Sequence, residues 1–317
     1  MIMNILENKK AFDKSKILIL LPKKSAHFVY DKILKTGVRI DEPYKNFKYF
    51  QLIFRFIRKI FFVLNLPFKD IWYGKWKSEL EQFDAIILFD FFNVEIINYI
   101  NKKAKGKKFI FWYWNPVSNS LNPKLIPKNS CEKWSFDKED CLKYNMKYNT
   151  TFFFKDYKLD NSEIEYDIFF IGKDKGRLTK LLNLQKKFDN LGLNTYFHIV
   201  NDRNNIYNKN FIYKSPMEYE EVLKNISKSK AILDVVQDNQ EGITLRTMEA
   251  IFFEKKLITT NKNIINYDFY HKNNIFILGI DNVNLLCNFV NSPYHKISKE
   301  IVYNYDFEQW INRFFVE

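Results

Sequence analysis

Apolar residues along this chain gather into two series of short, uninterrupted runs separated by polar turns. In the first half the runs are 16–21 (KILILL), 83–89 (FDAIILF) and 108–114 (KFIFWYW). In the second half they are 166–171 (YDIFFI), 195–200 (TYFHIV), 211–217 (FIYKSPM), 231–236 (AILDVV), 257–260 (LITT) and 274–278 (NIFIL). Runs of this length without alternation suit strands buried on both faces, the condition of a parallel sheet covered by helices. Between them lie segments with helical spacing at 94–103 and 219–229, and one after 243 in which Leu245, Met248 and Phe252 form a single stripe. Alternating strand and helix predicts the α/β class.

The arrangement predicted is two Rossmann-like domains facing across a cleft. The first spans 1–158, the second 163–295, joined by the polar stretch 156–165 (DYKLDNSEIE), and 296–317 is a helix returning to the first domain. Two segments add detail. In 134–140 (WSFDKED), Ser135 or Asp137 caps a short helix, and an acid such as Asp137 or Asp140 is a weak candidate for a catalytic base. In 44–69, six Lys or Arg alternate with aromatics and aliphatics and no acid occurs. That stretch reads either as a core helix with its charges on the wet face or as an amphipathic helix lying on an anionic membrane surface.

Composition narrows the classes. A chain of 317 residues has room for two cores, and 46% hydrophobic content with 32 Phe and 19 Tyr excludes disorder. Enrichment in Lys, Asn, Ile, Phe and Tyr matches the bias of an AT-rich bacterial genome, so part of the aromatic content carries no functional message. A net charge of +13 favours an anionic partner: a nucleotide, a phospholipid surface or nucleic acid. No DNA- or RNA-binding module pattern accompanies it, which argues against nucleic acid. Cys131, Cys141 and Cys287 form neither a CxxC pair nor a metal spacing with the four histidines, so we expect reduced thiols in the cytoplasm and no metal. The first apolar run comes too late and is too short for a secretory signal, and no run approaches a spanning length, so the expectation is a soluble or peripheral protein.

Candidate chemistry sits at the ends of the apolar runs. Gly172-Lys173-Asp174-Lys175-Gly176-Arg177 follows a strand and precedes a helix, a plausible phosphate cradle that is not a Walker A sequence. Lys23, Lys24, Ser25 and His27 follow the first strand, with no GxGxxG, and are either acceptor contacts or a solvated turn. Trp114 and Asn115 end another strand, where they either pack in the core or reach a sugar. His198 falls inside a strand and reads as a packed side chain. Glu241 and Glu249 frame a helix start, whose free N–H groups and partial positive charge suit a diphosphate. If both were helical they would lie on the order of 12 Å apart. That suits gripping two ends of a long ligand better than a hydrolytic pair, which needs roughly 5–9.5 Å.

The segment Glu241-Gly242-Ile243-Thr244-Leu245-Arg246-Thr247-Met248-Glu249 resembles the nucleotide-sugar signature of GT-B glycosyltransferases. The strand FIFWYWNPV resembles the first domain of bacterial lipopolysaccharide or capsule enzymes of that type. The resemblance implies a metal-independent hexosyltransferase without cofactor, moving sugar from a nucleotide-sugar donor to a saccharide or lipid-linked saccharide in surface polysaccharide assembly. Glutamates at this spacing belong mostly to retaining enzymes. It implies that Arg177, Lys173 and the amides of Gly242, Ile243 and Thr244 neutralise the diphosphate, with Gly172 in the same loop. Glu249 would hold the ribose and Glu241 the sugar, while Tyr213, Lys214 and Pro216 hold the base. The location implied is the inner face of the cytoplasmic membrane. Two alternatives stand beside it: a non-enzymatic basic module that binds a membrane or nucleic acid, and a nucleotide-sugar epimerase or hydrolase of the same fold.

Overall fold

The computed structural model describes residues 13–23, 27–47, 49–202, 210–237 and 241–316. The chain divides into two compact units, residues 1–148 and 149–317.

The first unit runs β1 (Ile17–Leu20), α1 (His27–Leu34), β2 (Arg39–Asp41), α2 (Gln51–Val63), β3 (Ala85–Phe89), α3 (Val94–Lys103), β4 (Lys108–Tyr113), β5 (Glu132–Ser135), α4 (Lys138–Tyr144) and β6 (Lys147–Tyr148). Its six strands lie in the order β2-β1-β3-β4-β5-β6, and every neighbouring pair is parallel. β1 and β3 are buried at every position, as their unbroken apolar runs require. Leu18, Ile86, Leu88 and Phe111 from the sheet pack with Trp76, Ile97 and Ile100 in one core. Asn93 caps α3 by accepting from the Glu95 N–H, and Lys102 and Lys103 sit in its last turn, each suited to the helix dipole.

The second unit runs β7 (Tyr166–Lys173), α5 (Leu178–Asn190), β8 (Thr195–Val200), α6 (Tyr219–Ser227), β9 (Ser229–Asp234), α7 (Leu245–Phe252), β10 (Lys256–Thr259), β11 (Ile275–Ile277), α8 (Leu286–Asn291), α9 (Lys299–Asn304) and α10 (Phe307–Arg313). Its five strands lie in the order β11-β10-β9-β7-β8, again all parallel. Ile168, Phe170, Leu233 and Ile258 form its core with Leu181 and Phe188 of α5. Residues 296–317 belong to this unit. Asn149 Nδ2 donates to the Trp310 carbonyl at 3.0 Å, Phe307 N to the Phe153 carbonyl at 2.8 Å, and the Phe152 and Trp310 rings stand 4.5 Å apart.

In both units the first strand of the sheet sends the chain outward to one neighbour and then back to the other side. The order is therefore that of a doubly wound sheet whose direction reverses between β1 and β3 in the first unit and between β7 and β9 in the second. Ligands of open α/β sheets bind outside the carboxyl ends of the strands at that reversal.

Three elements depart from the sequence expectation. The run at 211–217 forms no strand and contributes only a bridge of Lys214 to Val200, because its polar Lys-Ser-Pro centre supplies no apolar face. Trp134 and Ser135 lie in strand β5, which the sequence did not predict, whereas Asp137, one of the two expected caps, does cap α4 by accepting from the Glu139 and Asp140 N–H groups. Asp140 accepts from the Val117 N–H at 2.8 Å. The core-helix reading of 44–69 also fails, since no residue of α2 is buried.

Candidate functional site

At the second unit's reversal the residues are placed by β7 and β9. Gly172, near the end of β7, lets the Arg177 guanidinium lie close over the strand, for a Cβ there would meet Arg177 Nη2 at 3.4 Å and the Phe170 ring at 3.2 Å. Arg177 Nη1 donates to the Val235 carbonyl just past β9, and Nη2 donates to the Lys173 carbonyl at 3.2 Å. The guanidinium thus bridges the two strand ends, while its buried Nε has no hydrogen-bond partner among the described residues. Burial pulls its pKa down, opposed by Asp234 and Asp174.

Asp234 ends β9 and is buried with Thr247 and Thr259 hydroxyls on its Oδ2 at 3.5 and 3.3 Å. Burial raises its pKa, opposed by hydrogen bonding from the Thr244 side chain and by the charges of Arg177 and Arg246. Arg246 lies in the first turn of α7, whose N-cap Thr244 accepts from the Arg246 and Thr247 N–H groups at 3.1 and 3.3 Å. Lys173 is exposed at the end of β7. Burial together with the charges of Arg177 and Lys173 holds the Lys175 ammonium below its usual range. A cavity of about 580 Å³ opens beside Lys175, Arg177, Lys180 and Lys187, with Val236 and Gln237 on its rim. The described residues lining it include no acid.

Glu249 is fully buried. Its Oε1 accepts from the Tyr219 hydroxyl at 3.0 Å and its Oε2 from Arg246 Nη1. Burial lifts its pKa to about 7 despite those two partners. Its carboxylate therefore orients Arg246 from behind, with both oxygens already taken. Glu241 lies outside the helix, in the loop before α7, where its side chain accepts from Asn263 Nδ2 and its carbonyl from Asn261 Nδ2 at 3.1 Å. The axial spacing expected of two helical glutamates accordingly does not apply. Gly242 and Ile243 are buried, and the Ile243 carbonyl accepts from the Thr151 hydroxyl at 3.0 Å.

The Tyr213 hydroxyl donates to Asp174 Oδ2 at 2.6 Å, which places Tyr213 beside the β7 loop. Lys214 turns instead to the Tyr196 ring, its ammonium 4.1 Å from the centroid. His198 is buried between the Tyr196 hydroxyl and the Ser215 carbonyl, at 3.2 and 2.8 Å, as its place inside a strand predicts.

At the first unit's reversal, Asp90 follows β3. Its Oδ2 accepts from the Ser120 hydroxyl at 2.6 Å and from Asn115 Nδ2 at 3.1 Å, and its Oδ1 is buried. Burial raises its pKa against these two bonds and a third from the Leu121 N–H. Trp114 packs edge-on to Phe89 at 5.0 Å. Phe91, the residue after Asp90, lines a cavity of about 260 Å³ with Pro22, Glu42, Tyr44, Arg55 and Arg58. Lys24 and Ser25 lie outside the described residues; His27 opens α1, and its side chain lies outside them too.

Sequence reasoning passed over Arg246, Asp234 and Asp90. The signal for the first was available, since Arg and Glu three apart share a helix face. Those for the others lay only in strand order. Among the described residues no group of His, Cys, Asp or Glu could hold a metal ion.

No family model matches the chain, and no curated protein matches it. Among solved structures it is similar to the DNA-modifying enzyme β-glucosyltransferase, determined with and without its substrate uridine diphosphoglucose. The TM-score is 0.52 at 14% identity, over 94% of this chain and 98% of that one. A T4 phage β-glucosyltransferase with its UDP-glucose substrate gives 0.49 at 14% identity over 94% of each chain. At such identity the likeness with the first establishes architecture: an α/β fold of two Rossmann-like domains, as in GT-B enzymes.

Proposed function

We propose that the protein is a glycosyltransferase that takes a hexosyl group from a nucleotide sugar. The observation that carries this reading is Arg177 bridging the Val235 and Lys173 carbonyls at the sheet reversal of the second unit, with Lys173 and Lys175 in the same loop and Arg246 in the first turn of α7. Planar guanidinium groups bind diphosphate oxygens in bidentate fashion. Fixed cations at that position stabilise the leaving group's charge and take the role a divalent metal would otherwise fill. The nine-residue segment from Glu241 to Glu249 supports the same reading, with a change of roles. Glu249 positions Arg246, Glu241 and the loop before α7 meet the sugar, and Tyr213 lies toward the base.

The acceptor side belongs to the first unit. Tyr44 and Phe91 give its cavity aromatic faces, and Lys45, Arg55 and Arg58 outweigh Glu42 in its lining. An anionic saccharide or lipid-linked saccharide of the bacterial surface fits that lining, and the reaction then proceeds on the cytoplasmic side of the membrane. DNA is a second acceptor reading, since the similar enzyme of known structure is DNA-modifying and this chain carries +13.

Retention at the sugar carbon is the outcome favoured by the glutamate spacing. Asp90 favours inversion, for a carboxylate at the strand end whose burial raises its proton affinity is suited to take the acceptor's proton. The anomeric configuration of the product, read by NMR, separates the two.

The direct test is a thermal-shift screen against UDP-, GDP-, CMP- and ADP-linked sugars. Stabilisation by one donor, abolished in Arg246→Ala and Arg177→Ala, is expected. A flat response to every donor would remove the transferase reading and leave a basic binding module. Turnover of a donor with no acceptor present would point to the hydrolase or epimerase.

A further inference from the structure

Helix α2 has two faces of opposite character. Phe54 and Phe61 lean on Trp72, at 6.5 and 5.4 Å between ring centroids, and Phe62 on Tyr44 at 5.9 Å. The Arg58 guanidinium stacks over Tyr44 at 3.7 Å. The inner face is thereby anchored to the first unit. On the opposite face, at helical spacing, Leu52 is 79% exposed, Ile53 55%, Phe56 65% and Val63 71%. Ile60 and Leu64 fill the same arc, and Phe50 and Phe68 continue the apolar surface past both helix ends.

A folded protein leaves so many large apolar side chains together in water only where something covers them. Arg55 and Lys59 border the arc on one side, and among the described residues neither has a carboxylate partner. The sequence from 44 to 69 contains no acid. Large aliphatic and aromatic residues on one face with uncompensated cations at its margin match the hydrocarbon boundary and the anionic headgroups of a bilayer. Duplex DNA would meet the cations but would gain nothing from Leu52, Ile53, Phe56 and Val63. No described helix is long and apolar enough to cross a membrane, so contact of this kind is in-plane.

We infer that the outer face of α2 seats the first unit on an anionic lipid bilayer, with Phe56, Ile60 and Val63 at the acyl boundary and Arg55 and Lys59 at the headgroups. This docking stands independently of the transferase reading, because it requires neither donor nor turnover. It also places the Arg55 and Arg58 cavity next to the lipid surface.

The test is flotation of the full chain with vesicles of phosphatidylcholine alone or with phosphatidylglycerol added, without any nucleotide sugar. Binding to the anionic vesicles is expected, with a loss of about tenfold or more on raising the salt or in Arg55→Glu/Lys59→Glu. Phe56→Ser/Ile60→Ser should lower it by a similar factor at unchanged circular dichroism and melting temperature, since both side chains are solvent-facing. Equal partitioning of the wild type and the serine variant would overturn the proposal, as would absence from anionic vesicles. So would binding to a DNA duplex that the serine variant retains in full while vesicle binding is nil. A dimer on gel filtration that those serines dissociate, again with no vesicle binding, would assign the face to a second copy and equally overturn it.

Discussion

Replacing Glu249 by glutamine isolates a buried charge that sits within hydrogen-bonding reach of Arg246 and Tyr219. The carboxyl moves from its ordinary 4.5 to about 7 in the folded chain, with burial the largest cause. At roughly 1.4 kcal/mol per pH unit this corresponds to about 3 kcal/mol of differential stability. The sign follows from proton counting. Below pH 4.5 the group is protonated in both the folded and the unfolded chain, so the stability tied to it is fully present. Between 4.5 and about 7 the folded chain holds a proton that the unfolded chain has lost, so stability falls as pH rises, and it levels off above. Glutamine keeps the shape and the contact with Tyr219 but cannot ionise. In thermal melts at pH 5, 6, 7 and 8 the wild type should lose on the order of 6 to 12 °C more than Glu249→Gln across the series. At pH 5 the two should melt within a few degrees of each other, because the wild-type carboxyl is then largely neutral. Parallel pH profiles for the two proteins would refute both the assigned protonation and the burial argument behind it.

Arg177→Lys retains charge but loses the fork that spans the Val235 and Lys173 carbonyls, so donor affinity measured by calorimetry should drop by about tenfold or more. Asp90→Asn should leave donor affinity unchanged and cut turnover by about 100-fold or more. In the wild type the same carboxylate, raised above its usual range, should make activity climb with pH through that raised value, and a pH-independent rate across the acidic limb would exclude Asp90 as the base. Trp310→Ala should cost the second unit about 3–5 kcal/mol in denaturant unfolding, because this fully buried ring packs on Phe152 and Phe307.

The sequence carried the strands far better than the site. β1, β3, β4, β7, β9 and β10 are visible as apolar runs because a strand covered on both faces is apolar through its middle, with polar residues such as Ser229, Asp234, Lys256 and Thr259 towards its ends. The short β5 and β6 were not, since Glu132, Lys133 and Lys147 fall in them and only two or four residues pair. Gly172, Arg177 and Asn115 could be placed at strand ends from the linear pattern. Their partners could not, for Val235 is 58 residues from Arg177 and Asp90 is 25 from Asn115. Glu249 shows the limit most clearly. Its place at the edge of the Leu245, Met248 and Phe252 stripe already demanded a partner, but whether it faced ligand or interior depended on Tyr219 arriving from α6.

That dependence has a physical basis in the strand order. In each sheet the first strand pairs on one side with its successor and on the other with the third strand, so two loops diverge and leave a gap between them. A gap at the carboxyl edge exposes backbone carbonyls on one side and helix N-termini on the other. The second unit fills its gap with Arg177 bridging carbonyls above buried Asp234, which holds fixed positive charge at the strand ends. The first fills its gap with Asp90, Asn115 and Ser120, giving a buried carboxylate held through its Oδ2. The same topology thus presents positive charge in one unit and a proton acceptor in the other. Group transfer from a diphosphate to a hydroxyl needs both, and that division of labour is a stronger reason for the proposed chemistry than the spacing of two glutamates.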